Sequence, residues 1–93
     1  MLSNIPIDLS KIPPGLKNRE LLRAAIIAEL DAINLYEQMA AVTDDKDLKA
    51  VFLDVAKEEK THMGEFQTML LRLDREQKGE LAHGKKEVDE LTE

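Results

Sequence analysis

Hydrophobic and polar positions repeat with helical spacing along most of this chain. Between residues 19 and 42 there is neither Gly nor Pro, and good helix formers occupy nearly every position. We predict one helix of about six to seven turns here, with Asn18 as its N-cap. The polar cluster 43–47 supplies N-cap candidates for a second helix that runs to Leu73 or Asp74. Because the connection is short, the two helices should form an antiparallel hairpin.

Each predicted helix carries one apolar stripe with heptad spacing, interrupted only by residues that commonly bind metals. On the first helix Glu29 is the one charged member of the stripe, and on the second Glu59 and His62 are the only polar members. An acid and an imidazole at apolar positions are costly to bury unless a cation compensates them. The first stripe comprises Leu22, Ile26, Glu29, Ile33, Tyr36 and Ala40, and the second comprises Leu48, Phe52, Val55, Glu59, His62, Phe66, Met69 and Leu73.

The geometry of a hairpin predicts which stripe residues face each other. Both helices rise equally per residue, so residues whose numbers add to about 88 lie at the same level when the turn is centred near Asp44. This rule places Glu29 opposite Glu59 and Tyr36 opposite Phe52. Two carboxylates in one otherwise apolar layer require protonation, salt bridges or a bound cation.

A second copy of the chain should complete this layer, because two helices leave half of each stripe facing water. Further apolar residues, namely Leu53, Ala56, Met63 and Leu70, form a second apolar face on the second helix. Di-iron carboxylate bundles take one Glu from each of two helices and a Glu-x-x-His from each of the other two. The chain carries one single Glu of this kind, Glu29, and one Glu-x-x-His, formed by Glu59 and His62. We therefore expect an all-α fold in which two hairpins pair into a four-helix bundle with both metals at the subunit interface.

Composition limits the possible metal ligands and the possible partners of the chain. The 93 residues include no Cys, so any metal must be held by carboxylate and imidazole. The net charge of −6 and the presence of only three aromatic residues argue against nucleic acid as a partner. Residues 1–6 lack the pattern of a signal peptide, and the longest apolar run, 24–28, is too short to span a bilayer. We expect a cytoplasmic chain with no membrane partner.

The chain divides into three segments. Residues 1–17 hold all three prolines and should form an extended arm that ends in a turn. Residues 18–74 should form the helical hairpin that carries both stripes. Residues 75–93 are polar, contain Gly79 and Gly84, and should form a short helical tail or a linker.

Residues 29–36, with the sequence ELDAINLY, and residues 58–62, EEKTH, resemble the encapsulated ferritins, short ferritin-like proteins housed in encapsulin nanocompartments. The resemblance covers roughly residues 18–73. It implies a homodimer as the minimal unit, a decameric ring as the further assembly, and an encapsulin shell protein that is separate or fused. It also implies ferroxidase activity, the oxidation of Fe²⁺ to Fe³⁺ at a di-iron site, for iron storage or detoxification inside the compartment.

The same resemblance implies a role for each matched residue. Glu29, Glu59 and His62 would ligate iron, with Glu59 bridging both ions, while Tyr36 would stand beside the centre. Asp31 matches a family carboxylate implicated in metal entry. Because Mn²⁺ and Zn²⁺ suit the same donor atoms, either could substitute for iron.

Other interpretations of these residues remain open. Glu59 and His62 are compatible with a solvated helix face that bears an incidental His. The hairpin is compatible with a non-catalytic oligomerisation scaffold, whose stripe carboxylates pair with the arm or with a neighbouring subunit. A rubrerythrin-like di-iron peroxidase would use the same ligands. Near the site, the acidic residues Asp31, Glu37 and Glu58 are expected to raise the local cation concentration.

Overall fold

A computed structural model describes residues 8–93 of the chain, and every regular element in this range is helical. Helices α1 and α2 pack against each other as an antiparallel hairpin, which confirms the expected fold class. Helix α3 follows α2 after a single residue, Asp74. The three α-helices are α1, Lys17–Val42; α2, Lys46–Leu73; and α3, Arg75–Thr92.

Helix α1 begins at Lys17 with Leu16 at the N-cap position, so the prediction that Asn18 caps it is wrong. The reason is a short 3-10 turn, Pro14–Leu16, in which the backbone N–H of Leu16 donates to the carbonyl oxygen of Pro13 at 2.9 Å. This turn leads the chain into helical backbone before Asn18 is reached.

Residues 1–7 of the predicted arm lie outside the described residues. The next residues contain a second 3-10 turn, Leu9–Lys11, in which the carboxylate of Asp8 accepts from the backbone N–H of Ser10 at 3.1 Å. Residues 8–16 therefore contain two tight turns and are not continuously extended. The division of the chain at residues 17 and 74 stays a prediction.

A connection of three residues joins α1 to α2, and its last residue caps the second helix. The carboxylate of Asp45 accepts from the backbone N–H of Asp47 at 2.8 Å and from that of Leu48 at 3.0 Å. Two of the otherwise unpaired N–H groups of the first turn are thus satisfied. The polar cluster between the helices is therefore both the turn and the helix start, as predicted.

The contact between α1 and α2 uses part of the expected stripe of α2, including Phe52 and Glu59, together with part of the second face. Ala56 and Leu70 were assigned to a second face, yet they are only 2% and 6% exposed. Conversely, Leu48, Met69 and Leu73 belong to the predicted stripe and are 42–47% exposed. Small side chains such as Ala56 let two helices approach closely, and this fixes the rotation of α2 about its own axis. Within residues 8–93, this part of the predicted stripe therefore remains largely exposed.

Helix α3 is one continuous helix of 18 residues and extends away from the hairpin. Every side chain from Lys78 to Glu93 is exposed. The chain has a radius of gyration of 16.5 Å, whereas a compact domain of this length would have about 12 Å. Within residues 8–93, no helix combines the length and the apolar character needed to cross a bilayer.

Candidate metal centre

Glu29, Glu59 and His62 come together between α1 and α2, and the hairpin geometry predicted that Glu29 and Glu59 face each other. One ligand atom from each lies within 4.8 Å of those of the other two, and within residues 8–93 no other group of three such side chains converges in this way. Ligand atoms around one divalent ion lie within about 4.4 Å of one another when each bond is about 2.0–2.2 Å. This metal-ligand trio therefore needs only a small closure to hold one ion.

The ring of His62 lies beside both carboxylates. Its Nδ1 is 3.7 Å from Oε2 of Glu59, one turn earlier on α2, and 3.9 Å from Oε2 of Glu29 across the hairpin. Both distances exceed those of a hydrogen bond, so the imidazole does not satisfy either carboxylate. One nitrogen and two carboxylate oxygens thus border a common space, and this mixed donor set is one that Fe²⁺, Mn²⁺ and Zn²⁺ accept.

Within residues 8–93, no Lys or Arg forms an ion pair with the two carboxylates of this trio. Oε2 of Glu29 is buried and has no hydrogen-bond partner. Among the described residues, the only group that approaches Glu29 as an ion-pair partner is His62, at 3.9 Å. A buried carboxylate oxygen without a partner is rare, because it has lost its hydration and gained nothing in return. A bound cation would supply the missing interaction, so the three residues fit a metal ion.

The side of the trio that carries the imidazole of His62 is exposed to solvent. The side chains of Glu29 and Glu59 are 18% and 20% exposed, whereas that of His62 is 47% exposed. The carboxylates are therefore held within the hairpin while the imidazole borders solvent. A further subunit could cover this side without displacing any residue of the trio.

Tyr36 lies two turns further along α1 and stacks on Phe52 of α2. The ring centroids are 6.4 Å apart and the ring planes are inclined by 29°. This contact confirms the predicted level of the two residues, and it fixes the relative height of the helices close to the trio. The role of Tyr36 beside a metal centre stays a prediction.

One of the acidic residues near the trio is paired with a lysine. Nζ of Lys60 donates to Oε2 of Glu37 at 3.1 Å, and this ion pair joins α2 to α1. The contribution of Glu37 to an attractive field for cations stays a prediction. Glu58 is exposed. Asp31 is partly exposed and has an interaction of its own, and its role in metal entry stays a prediction.

A second Glu-x-x-His sequence occurs in α3, at Glu80 and His83. The Nδ1 atom of His83 lies 3.5 Å from Glu80, and its Nε2 atom lies 3.2 Å from Glu87. The two carboxylates therefore face opposite sides of the ring, and all three side chains are at least 60% exposed. No common point lies among their ligand atoms. A Glu-x-x-His motif alone therefore does not create a metal site. At Glu59 and His62, the carboxylate of Glu29 from a second helix supplies the third ligand.

Comparisons with known proteins cover nearly the whole chain. The crystal structure of the encapsulated ferritin domain from Pyrococcus furiosus is 53% identical in sequence, with a TM-score of 0.85, and the match covers 99% of this chain and 96% of that one. A ferritin-like-encapsulin shell fusion protein from the same organism is 54% identical over 94 residues. The encapsulin nanocompartment cargo protein EncC from Myxococcus xanthus is 41% identical over 83 residues.

The two named proteins are longer than this chain. The matches cover 99% and 86% of the chain, which spans 27% of the fusion protein and 62% of the cargo protein. A family profile described as Rubrerythrin matches residues 20–93, a range that includes the whole trio. With its helical hairpin and its three converging ligand residues, the chain belongs to the rubrerythrin family of ferritin-like proteins and has encapsulated ferritins among its close relatives.

Proposed function

We propose that two copies of this chain build a di-iron ferroxidase centre that oxidises Fe²⁺ to Fe³⁺. The observation that carries the proposal is the buried Oε2 of Glu29, which has no hydrogen-bond partner and lies beside Glu59 and His62. Such a carboxylate is costly in an apolar layer and favourable beside a divalent cation. Iron is the substrate of the reaction, and these three residues are its ligands.

The second copy is needed because one chain supplies only three ligands. A two-fold axis beside the hairpin adds the same residues from the partner, which gives the four Glu and two His of a di-iron bundle. Four carboxylates neutralise two divalent cations, so the centre buries no net charge. The α2 residues Leu48, Met69 and Leu73 support this pairing, because the described residues leave these apolar side chains 42–47% exposed.

The two carboxylates and the imidazole have different roles in the proposed centre. Glu29 and Glu59 bring negative charge from opposite helices, and this charge favours the Fe³⁺ product over Fe²⁺. His62 directs Nδ1 toward the carboxylates, so its Nε2 is left to bond an acceptor that fixes the ring. Two bound Fe²⁺ ions each give up one electron, and dioxygen takes both electrons with two protons and leaves as hydrogen peroxide.

We further propose that the activity operates inside an encapsulin compartment in the cytoplasm. The relatives from P. furiosus and M. xanthus are a shell fusion protein and a compartment cargo protein, and this supports a shell partner, fused or separate. A decameric ring is the assembly that the family resemblance implies. Retention of Fe³⁺ within a shell would make the oxidation serve iron storage or detoxification.

Anaerobic titration with Fe²⁺, followed by addition of oxygen, tests the proposal. The wild-type protein should bind two irons per dimer and oxidise them rapidly. Glu59→Gln should slow oxidation by more than about tenfold, because it removes one ligand charge per copy. Glu58→Gln is the matched control, since it makes the same change at the adjacent, exposed position. Equal rates in wild type and Glu59→Gln would overturn the proposal.

The same experiment distinguishes the other functions considered. A scaffold would assemble normally and bind no iron. A peroxidase would turn over hydrogen peroxide with a reductant faster than it consumes dioxygen during Fe²⁺ oxidation. Circular dichroism of each variant shows whether the helices are retained, so a lost activity can be assigned to the site.

A further inference from the structure

The four arginines of this acidic chain all lie at one end of the hairpin. Arg19 and Arg23 are in the first two turns of α1, Arg72 is in the last turn of α2, and Arg75 opens α3. The whole chain carries a net charge of −6. The junction of α2 and α3 is therefore opposite in sign to the molecule as a whole.

The buried carboxylate at this junction is already engaged by other groups. Asp74 is 6% exposed, and its Oδ2 accepts from Nη2 of Arg23 at 2.9 Å while its Oδ1 accepts from the backbone N–H of Gln77 at 3.0 Å. The hydrogen bond from Gln77, together with Arg23, holds the pKa of this carboxyl below its ordinary value. Asp74 thus neutralises one arginine. Within the described residues, Arg72 and Arg75 form no ion pair.

These two arginines line an open pocket of about 500 Å³ at the junction. Lys78 completes its charged lining, and Thr68 and Leu71 form the rest. No carboxylate is among the residues that line this pocket, so its lining carries three positive charges. The three side chains are exposed, so water weakens their mutual repulsion, and an anion in the pocket is attracted by all three.

We propose that this pocket binds a phosphate group, held by Arg72, Arg75 and Lys78. A guanidinium fork matches the oxygens of a tetrahedral oxyanion, and two forks with one ammonium more than offset the charge of a doubly charged phosphate. The volume also admits a short chain of phosphates. Free inorganic phosphate and a polyphosphate chain thus share the recognition chemistry, and the experiment below separates them.

Extended polyanions are disfavoured as occupants. Nucleic acid or an anionic membrane would meet the negative remainder of the molecule as well as the pocket. A ligand small enough to lie inside the pocket avoids that repulsion. The site is also separate from the metal-ligand trio, because Arg72 lies ten residues beyond His62, or about 15 Å along the helix. The phosphate proposal therefore does not depend on the proposed ferroxidase activity.

Isothermal titration calorimetry of the assembled protein with inorganic phosphate, and separately with tripolyphosphate, tests this site. We expect one saturable site per chain for at least one of the two probes, and tighter binding of tripolyphosphate if a chain is the natural ligand. Arg72→Gln with Arg75→Gln should weaken binding by at least about tenfold. Lys85→Gln with Lys86→Gln removes the same charge from an exposed part of α3 and should leave binding unchanged.

Several outcomes would overturn this assignment. Binding of neither probe would do so, as would equal weakening in the two double variants. An unchanged phosphate affinity but an altered assembly mass in the arginine variant would show that the pocket contacts a second protein chain instead. Lys78→Gln keeps both arginines at the helix junction, so it tests the same pocket if the double variant folds poorly. It should weaken binding severalfold.

Discussion

Two buried acids in this chain have opposite surroundings. Asp74 receives a guanidinium from Arg23 and the backbone N–H of Gln77, so its charge is satisfied within the chain. Glu29 receives neither, and its Oε2 is left without a hydrogen-bond partner. A satisfied buried acid stabilises the fold, whereas an unsatisfied one opposes it. At the residue scale, Asp74 is therefore structural, whereas residues 8–93 supply no hydrogen-bond partner for Oε2 of Glu29.

Glu29→Gln should stabilise the metal-free protein, because it removes a desolvated charge next to a second carboxylate. We expect a gain of about 1 kcal/mol, or roughly 4–8 °C in melting temperature for a chain of this size. Calorimetry in the presence of a chelator measures this change. Added Mn²⁺ should then raise the melting temperature of the wild type and not that of the variant.

Glu58→Gln provides the control for this prediction, since it removes a charge from an exposed position on α2. Its melting temperature should match that of the wild type. A lower melting temperature for Glu29→Gln in chelator would show that the Glu29 carboxylate is already stabilised within the protein, and would contradict this account.

At the scale of elements, the helices and their order were predictable from the sequence. Which residues of each helix pack against the other helix was predictable only in part. The facing of Glu29 and Glu59 follows from the rise per residue, which is the same in every α-helix. The burial of Ala56 and Leu70 depends instead on how far α2 rotates about its axis. The Lys60–Glu37 ion pair forms because the long side chain of Lys60 extends toward the N-terminus of α2. Neither property is specified by spacing alone.

The junction between α2 and α3 leads to a prediction about pH. The pKa of Asp74 is lowered from its ordinary value of 3.8 in the folded protein, chiefly by the hydrogen bond from Gln77. Its contribution to stability is therefore complete above 3.8 and is lost as the pH falls through the lower, folded value. Asp74→Ala should lower the melting temperature at neutral pH, because both the helix cap and the ion pair with Arg23 are removed.

Asp74→Asn separates these two contributions, because an amide oxygen can still cap α3 while the charge is lost. This variant should lose less stability than Asp74→Ala at neutral pH. Its difference from the wild type should shrink as the pH falls below 3.8. Thermal unfolding followed by circular dichroism across this range provides the measurement. A difference that stays constant with pH would rule out a contribution from the Asp74 charge.

The whole molecule does not form a complete globule. It exposes 7269 Å², whereas a compact chain of 10.5 kDa would expose about 5,400 Å². Within residues 8–93, exposed apolar side chains of α2 and the projecting α3 contribute to this excess. Exposed apolar surface beside an incomplete metal site favours association between copies.

Metal should therefore strengthen that association. We expect added Mn²⁺, which binds the same donors without being oxidised by air, to lower the dissociation constant between copies by at least about tenfold. Native mass spectrometry across a dilution series measures this constant. Glu59→Gln should not respond to the metal, whereas Glu58→Gln should respond as the wild type does. A wild-type mass distribution that is independent of metal would argue against a shared centre.

Sequence alone determined the helices, the turn at 43–45 and the pairing of Glu29 with Glu59 and His62, because these depend on local propensity and on the constant rise of a helix. Tertiary structure decided which stripe of α2 is buried, which acid lacks a partner, and where the four arginines gather. Those features depend on helix rotation and on the reach of individual side chains. They are fixed only when residues distant in sequence pack together.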